Sequence, residues 1–144
     1  MAQQNYKNHR RFVISYHVIT FFLLLLILVS SLYYIFASER GGLTLKSSEF
    51  IFLISVVMLL QFFFLRSFAL KAQDRAIRAE ENFRHYLLTG KPLDSRLTIR
   101  QIIGLRFASN EEFPELAMKA AESGMSEEDI KKAIRNWKPD TYRV

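Results

Sequence analysis

The chain has no cysteine, three prolines, five glycines, one tryptophan and three histidines among its 144 residues. Without thiols there is no disulfide framework, no Cys-ligated zinc or iron–sulfur centre and no thiol nucleophile. Half of the residues are hydrophobic and 14% aromatic, which excludes a disordered or collagenous chain. Catalytic signatures are also lacking: no Gly-x-Gly-x-x-Gly, no Gly-Lys-Ser/Thr phosphate loop, no His-Glu-x-x-His and no Gly-x-Ser-x-Gly. The Thr89-Gly90-Lys91-Pro92 stretch is a turn, without the upstream glycine and following helix of a phosphate cradle. The length allows one modest domain and an anchor, with no room for a large catalytic domain. The sequence therefore predicts neither an enzyme nor a cofactor, metal or small-molecule substrate.

What is present is apolar and unevenly spread. From Val13 to Ala37 there is no Asp, Glu, Lys or Arg over 25 residues. As a helix at ~1.5 Å per residue the run reaches about 37 Å, enough to cross a hydrocarbon core of ~30 Å with some tilt. A second uncharged run, Phe50 to Leu65, continues through Ser67 to Leu70 once Arg66 snorkels to the interface. Between the two, Ser38 to Glu49 forms a tight loop, with Gly41-Gly42 ending the first helix and Ser47 or Ser48 capping the second. A cleaved signal peptide would need a shorter run and a small-x-small exit, so the first span is expected to stay. Tyr33 and Tyr34 at one end, and Phe12 and Tyr16 at the other, fit interfacial aromatic belts.

Net charge is +6, and its placement sets orientation. Lys7, Arg10 and Arg11 precede the first span, Arg40 and Lys46 lie in the loop, and Arg66 to Arg100 holds eight Lys/Arg against four Asp/Glu. Basic flanks resist translocation, so both termini are expected in the cytoplasm. Beside the lipid, Lys7, Arg10, Arg11, Arg66, Lys71, Arg75 and Arg78 are candidate headgroup contacts, each worth about 1 kcal/mol where well placed. Fixing topology alone is the plainer role for the same cations.

Past the second span, Ala69, Ala72, Ala76, Ala79, Phe83 and Tyr86 recur at spacings of three and four, predicting a helix that runs on to Thr89-Gly90. Asp74/Arg78 and Glu80/Arg84 are i,i+4 pairs that would support it in solvent. The small side chains at Ala69, Ala72, Ala76 and Ala79, with Phe83, form a candidate docking seam, filled by a second copy or by the protein's own C-terminal helices. Three short helices are expected next. One covers about Thr98 to Ala108, with Ile99, Ile102, Ile103 and Phe107 on one side. Another begins after Ser109 in a Ser109/Glu112 capping box and ends at Gly124, with Pro114 tolerable only in its opening turn. The last opens at Ser126, turns Ile130, Ala133, Ile134 and Trp137 inward and closes before Pro139. A core of this size is expected to lean on the long helix, another subunit or the membrane.

The expected organisation is all-α: a basic arm over 1–12, a two-helix transmembrane hairpin over 13–70 (spans about 13–37 and 50–70), a juxtamembrane helix over 71–89 and a three-helix bundle over 90–144. Polar groups in or near the spans are sparse. His17, Thr20 and Gln61 are thin material for a channel or transporter component, the second functional expectation. Glu81 and His85, four apart, are read as a solvated pair rather than metal ligands. A membrane-tethered nucleic-acid binder, with Arg96, Arg100 and Arg106 on phosphates, ranks third, because Glu111, Glu112 and Glu115 crowd the next helix. The first expectation is a membrane-anchored interaction or scaffold protein, with the lipid bilayer and a protein partner or second copy as its partners.

Four stretches add a resemblance: Gln4-Asn5-Tyr6-Lys7-Asn8-His9, Leu70-Lys71-Ala72-Gln73-Asp74-Arg75, Gly90-Lys91-Pro92-Leu93-Asp94, and Ile130-Lys131-Lys132-Ala133-Ile134 with Trp137. Through them nearly the whole chain resembles a family of small two-span bacterial membrane proteins known only as a domain of unknown function. The resemblance implies a bacterial inner-membrane setting and carries no activity, cofactor or catalytic residue with it. Pro114 departs from that pattern in the second terminal helix.

Overall fold

The structure is a computed structural model and describes residues 4–8, 13–38 and 43–140, excluding the side chains of 43–45. The described residues form helices without strands: α1 (Phe21–Ala37), opened by a π-helical turn over Ser15–Thr20, then α2 (Leu43–Thr89), α3 (Ile99–Leu105), α4 (Phe113–Ser123) and α5 (Glu127–Ala133). They fall into two compact units, Arg11–Phe68, and Met1–Arg10 with Ala69–Val144. The first is apolar and the second polar.

Within the apolar unit, Leu24 and Ser31 of α1 are buried, and His17, Phe21, Leu28 and Ile35 are half-buried at the same alternating spacing. On α2, Ser48 and Ser55 are buried, with Phe52, Leu59, Phe62 and Arg66 half-buried in register. Both stripes repeat every 3.5 residues on average, the period of a supercoiled helix pair. Small side chains let backbones approach closely, and the serine hydroxyls are satisfied within their own helices. Ser31 donates to the Leu28 carbonyl at 2.8 Å and Ser55 to that of Phe52 at 2.7 Å. Tyr16 stacks on Phe62 at 4.4 Å and donates its hydroxyl to the Phe62 carbonyl at 2.7 Å. The π turn has a local cause: Thr20 Oγ1 donates to the Ser15 carbonyl, five residues back, at 2.9 Å.

The expected loop over Ser38–Glu49 is shorter than the spacing implied. Helix α2 begins at Leu43, so Ser47 and Ser48 lie inside it rather than at its N-cap. Gly41-Gly42 lies outside the described residues. The far end of α2 matches expectation: it stops at Thr89, and Gly90 takes the left-handed conformation (φ 71°) that closes a helix at low cost.

In the polar unit Ile102, Leu105, Phe107, Phe113, Ala117, Ala120, Ile130 and Ile134 form one core, joined by Ile77 from α2. Helix α3 is central to it and carries a capping box, the Thr98 hydroxyl accepting from the Gln101 N–H while Gln101 Oε1 accepts from the Thr98 N–H. At Gly104 a Cβ would lie 3.1 Å from the Glu127 carbonyl oxygen and 3.2 Å from Ile130 Cγ2, so the bare backbone is what lets α3 and α5 meet. Gln101 is buried, and its amide donates to the carbonyls of Ala120 (3.2 Å) and Met125 (2.9 Å), tying α3 to the end of α4.

Three C-terminal expectations are corrected. Helix α3 stops at Leu105, because the chain turns there to pair Ala108 with Trp137 in an isolated antiparallel bridge, with Lys138 N–H donating to the Phe107 carbonyl at 2.8 Å. The Ser109/Glu112 box does not form; the Glu112 carboxylate instead accepts from the N–H groups of Arg135 (3.0 Å) and Asn136 (2.9 Å). Those bonds draw the chain after Ala133 out of helix, so α5 ends earlier than expected, Ala133 is exposed, and Trp137 reaches the Phe107 ring (centroids 5.0 Å apart) from an extended segment. Pro114 sits in the first turn of α4, where its missing N–H costs nothing.

Candidate interaction surfaces

In the polar unit α2 presents two faces with opposite fates. One is gripped: Ile77 and Glu81 are buried, and Arg84 is almost so. The Arg84 guanidinium pairs with Glu81 at 2.9 Å, donates to the Ala108 carbonyl at 2.7 Å and to Asn110 Oδ1 at 2.9 Å, and lies 4.5 Å from the Phe113 ring centroid. Burial pushes the Glu81 carboxyl above the usual carboxylate range, against the opposing pull of Arg84. The expected Glu80/Arg84 pair is thus replaced by Glu81/Arg84, and Glu81 is not solvated as the sequence suggested. His85 Nδ1–H donates to the Lys91 carbonyl (2.8 Å), and the ring meets Phe113 edge-on, a turn-stabilising place. No group of three or more potential metal ligands occurs among the described residues.

The other face is bare. Ala69, Ala72, Ala76, Ala79 and Phe83 are all exposed, and so are Tyr86 and Leu87 beside them. The protein's own α3–α5 core therefore does not fill the alanine seam; it takes the face carrying Ile77, Glu81 and Arg84. Among the headgroup candidates, Lys71, Arg75 and Arg78 are exposed on α2 and Lys7 is exposed in the arm. Arg66 stands apart, half-buried in the apolar unit with its guanidinium 6.0 Å from the Tyr16 ring centroid. Arg10 and Arg11 lie outside the described residues.

The N-terminal arm carries contacts that sequence reasoning missed. Asp140 N–H donates to Gln4 Oε1 at 2.6 Å, and Gln4 Nε2 returns a long bond to the Asp140 carbonyl at 3.5 Å. Tyr6 donates to Glu128 Oε1 at 2.6 Å, and Lys132 lies 5.7 Å from its ring centroid. A tyrosine amid polar residues in the arm was the available signal. Of the polar residues weighed for a channel, His17 Nδ1 is 2.8 Å from the Val13 carbonyl, Thr20 bonds the Ser15 carbonyl, and Gln61 is exposed. The three arginines weighed for nucleic acid each have an acidic partner: Arg96 with Asp94 (2.6 Å), Arg106 with Asp140 (2.9 Å), Arg100 with Glu127 (3.8 Å).

Comparison with protein families matches one model, the family of unknown function DUF6526, over residues 1–144. The chain belongs to this family. No curated protein and no solved structure matches it. For this DUF6526 member, α1 with its opening π turn (Ser15–Ala37) and α2 are both long and apolar enough to cross a membrane.

Proposed function

We propose that this DUF6526 protein is a membrane-anchored interaction scaffold of the bacterial inner membrane. It inserts as a two-helix hairpin with both termini in the cytoplasm, and holds the polar unit there for protein–protein contact. The observation that carries the reading is the outward face of the apolar unit. Phe36 is 81% exposed, Phe50 68% and Leu65 66%, within two helices whose most apolar windows are only 11% buried. In water each such side chain would forgo ~25 cal/mol per Å² of apolar surface, whereas lipid tails cover it at no cost. The bonds of Gln4 and Tyr6 to Asp140 and Glu128 support an even number of crossings, because they join chain from before α1 to chain from after α2. The surplus of Lys/Arg at both ends supports the cytoplasm as their shared side.

Because the chain has no cysteine, single-cysteine variants report topology without background. In spheroplasts, an impermeant thiol reagent should label Lys46→Cys and spare Lys7→Cys and Lys119→Cys until lysis. Labelling of Lys119→Cys in intact spheroplasts, or release of the protein by alkaline carbonate, overturns the reading.

A further inference from the structure

The uncovered face of α2 runs beyond any depth that lipid can reach. At ~1.5 Å per residue, Phe83 and Tyr86 stand about 20 and 24 Å past Leu70, yet they are 62% and 54% exposed. With Ala69, Ala72, Ala76 and Ala79 they form alternating steps of three and four, the seam of a left-handed helix pair. We propose that this face docks on the same face of a second copy, α2 against α2, parallel and in register.

Charge complementarity selects both the occupant and the direction. Flanking the seam are Phe68, Arg75 and Asn82 on one side and Gln73, Glu80 and Leu87 on the other, and Arg75 and Glu80, the charged members, are five residues apart. In a parallel in-register pair each Arg75 faces Glu80 of the partner subunit, twice by symmetry. In an antiparallel pair flanks of the same kind meet, Arg75 with Phe68, Arg75 or Asn82 and Glu80 with Gln73, Glu80 or Leu87, and no opposite charges pair. Both side chains are available: each is exposed, and neither forms an ion pair among the described residues. The α3–α5 core sits on the Ile77, Glu81 and Arg84 face, so it leaves room for the partner. Alanine permits close backbone approach along most of the seam, and Phe83 and Tyr86 bury the larger apolar area. Eighteen residues make a short coiled coil in free solution, but confinement to one bilayer raises the effective concentration and orients both copies alike. The proposal rests on the anchored, single-topology reading above.

Single-cysteine variants of the full chain, oxidised in native membranes with copper–phenanthroline, test it. Ala72→Cys, Ala76→Cys and Ala79→Cys should each crosslink to an identical copy, while Arg78→Cys, on the outer side, should not. Arg75→Glu placed in the Ala76→Cys background should lower crosslink yield about tenfold, and adding Glu80→Arg should restore it. No seam crosslink, equal crosslinking at Arg78→Cys, crosslinks only to other proteins, or failure of Glu80→Arg to restore the yield each overturns the parallel dimer. Thiol labelling of Lys46→Cys and Lys119→Cys is read separately, so loss of the dimer with intact topology is distinguishable from failure of the anchored reading.

Discussion

The Glu81–Arg84 pair offers the sharpest test of how α2 is held to the polar unit. Its side chains are only 8% and 12% exposed, so neither charge can fall back on water. Replacing Arg84 by Met keeps the alkyl stem over Phe113 but strands a buried carboxylate. It also removes the donors to Ala108 and Asn110. Breaking a buried pair in this way costs about 3–4 kcal/mol, a large share of the ~5–15 kcal/mol of a small domain. Glu81→Leu should cost less, about 1–2 kcal/mol, because Arg84 retains its carbonyl and amide acceptors. The double variant should return to within about 1 kcal/mol of the native protein, since apolar side chains of similar volume replace buried ion pairs with little loss. The sign of the pH dependence is also set. Burial raises the folded-state pKa of Glu81, so between its unfolded and folded values the folded state binds more protons and stability rises as pH falls. Removing Arg84 widens that window, and the Arg84→Met deficit should shrink in mild acid. Urea unfolding in detergent, followed by fluorescence of Trp137, the chain's single tryptophan, gives all four corners of the cycle. Additive single effects, or an Arg84→Met loss that is unchanged across pH 4–7, a range set around ordinary carboxylate values, would refute the reasoning.

Two further outcomes follow from local geometry. Gly104→Ala should destabilise the polar unit by about 1–3 kcal/mol, because the added methyl meets the Glu127 carbonyl oxygen at 3.1 Å, and a comparable Ala placed at Gly90 would instead be strained by φ alone; a melting temperature unchanged by Gly104→Ala would contradict the close α3–α5 approach. The Arg96 guanidinium and backbone N–H hold the Asp94 carboxyl down at about 2, so the contribution of this turn is present above the ordinary carboxylate range and is lost as pH falls through about 2. An NMR titration should show Asp94 returning toward the usual carboxylate value in Arg96→Gln, and an Asp94 midpoint already near 4 in the native protein would sink the assignment.

The sequence made the element types legible because the strongest signals were local. Long uncharged runs marked α1 and α2, Gly90 and Gly124 marked helix ends, and the acidic start after Ser126 marked α5. Errors arose wherever a residue's partner was distant. Ser48 looks like a cap in a linear reading, and only a neighbouring helix explains why it and Ser55, seven residues on, are both buried. Glu112 fits a capping box by spacing, yet it bonds two N–H groups more than twenty residues away and thereby ends α5. Trp137 was expected inward for helical reasons and reaches the core from extended chain instead. The Thr98/Gln101 box, by contrast, follows from its i,i+3 spacing alone. As for the candidate surfaces, the alanine seam was visible as periodicity. That it stays uncovered was not, because the choice between the two faces of α2 is made by where Ile77, Glu81 and Arg84 find partners.

The N-terminal arm ties these threads together. Ordering a polar segment costs roughly 1–2 kcal/mol per residue, so the arm needs specific compensation to lie against the C-terminal segment. Gln4 supplies it with an amide that meets both the N–H and the carbonyl of Asp140, and Tyr6 with a bond to a carboxylate and a cation against its ring. These contacts turn Tyr6 inward and leave Lys7 exposed, so one short arm can contribute to the polar unit's packing and still offer a cation to headgroups. They also bear on topology by a different route from charge counting. The positive-inside bias is a tendency summed over many residues, whereas the Tyr6–Glu128 hydrogen bond supports the proposed even number of crossings independently of charge. In the proposed topology charge counting and the Tyr6–Glu128 bond agree on parity, and both fit α1 and the apolar part of α2 acting as one anchor with the alanine seam on the side that holds the two termini.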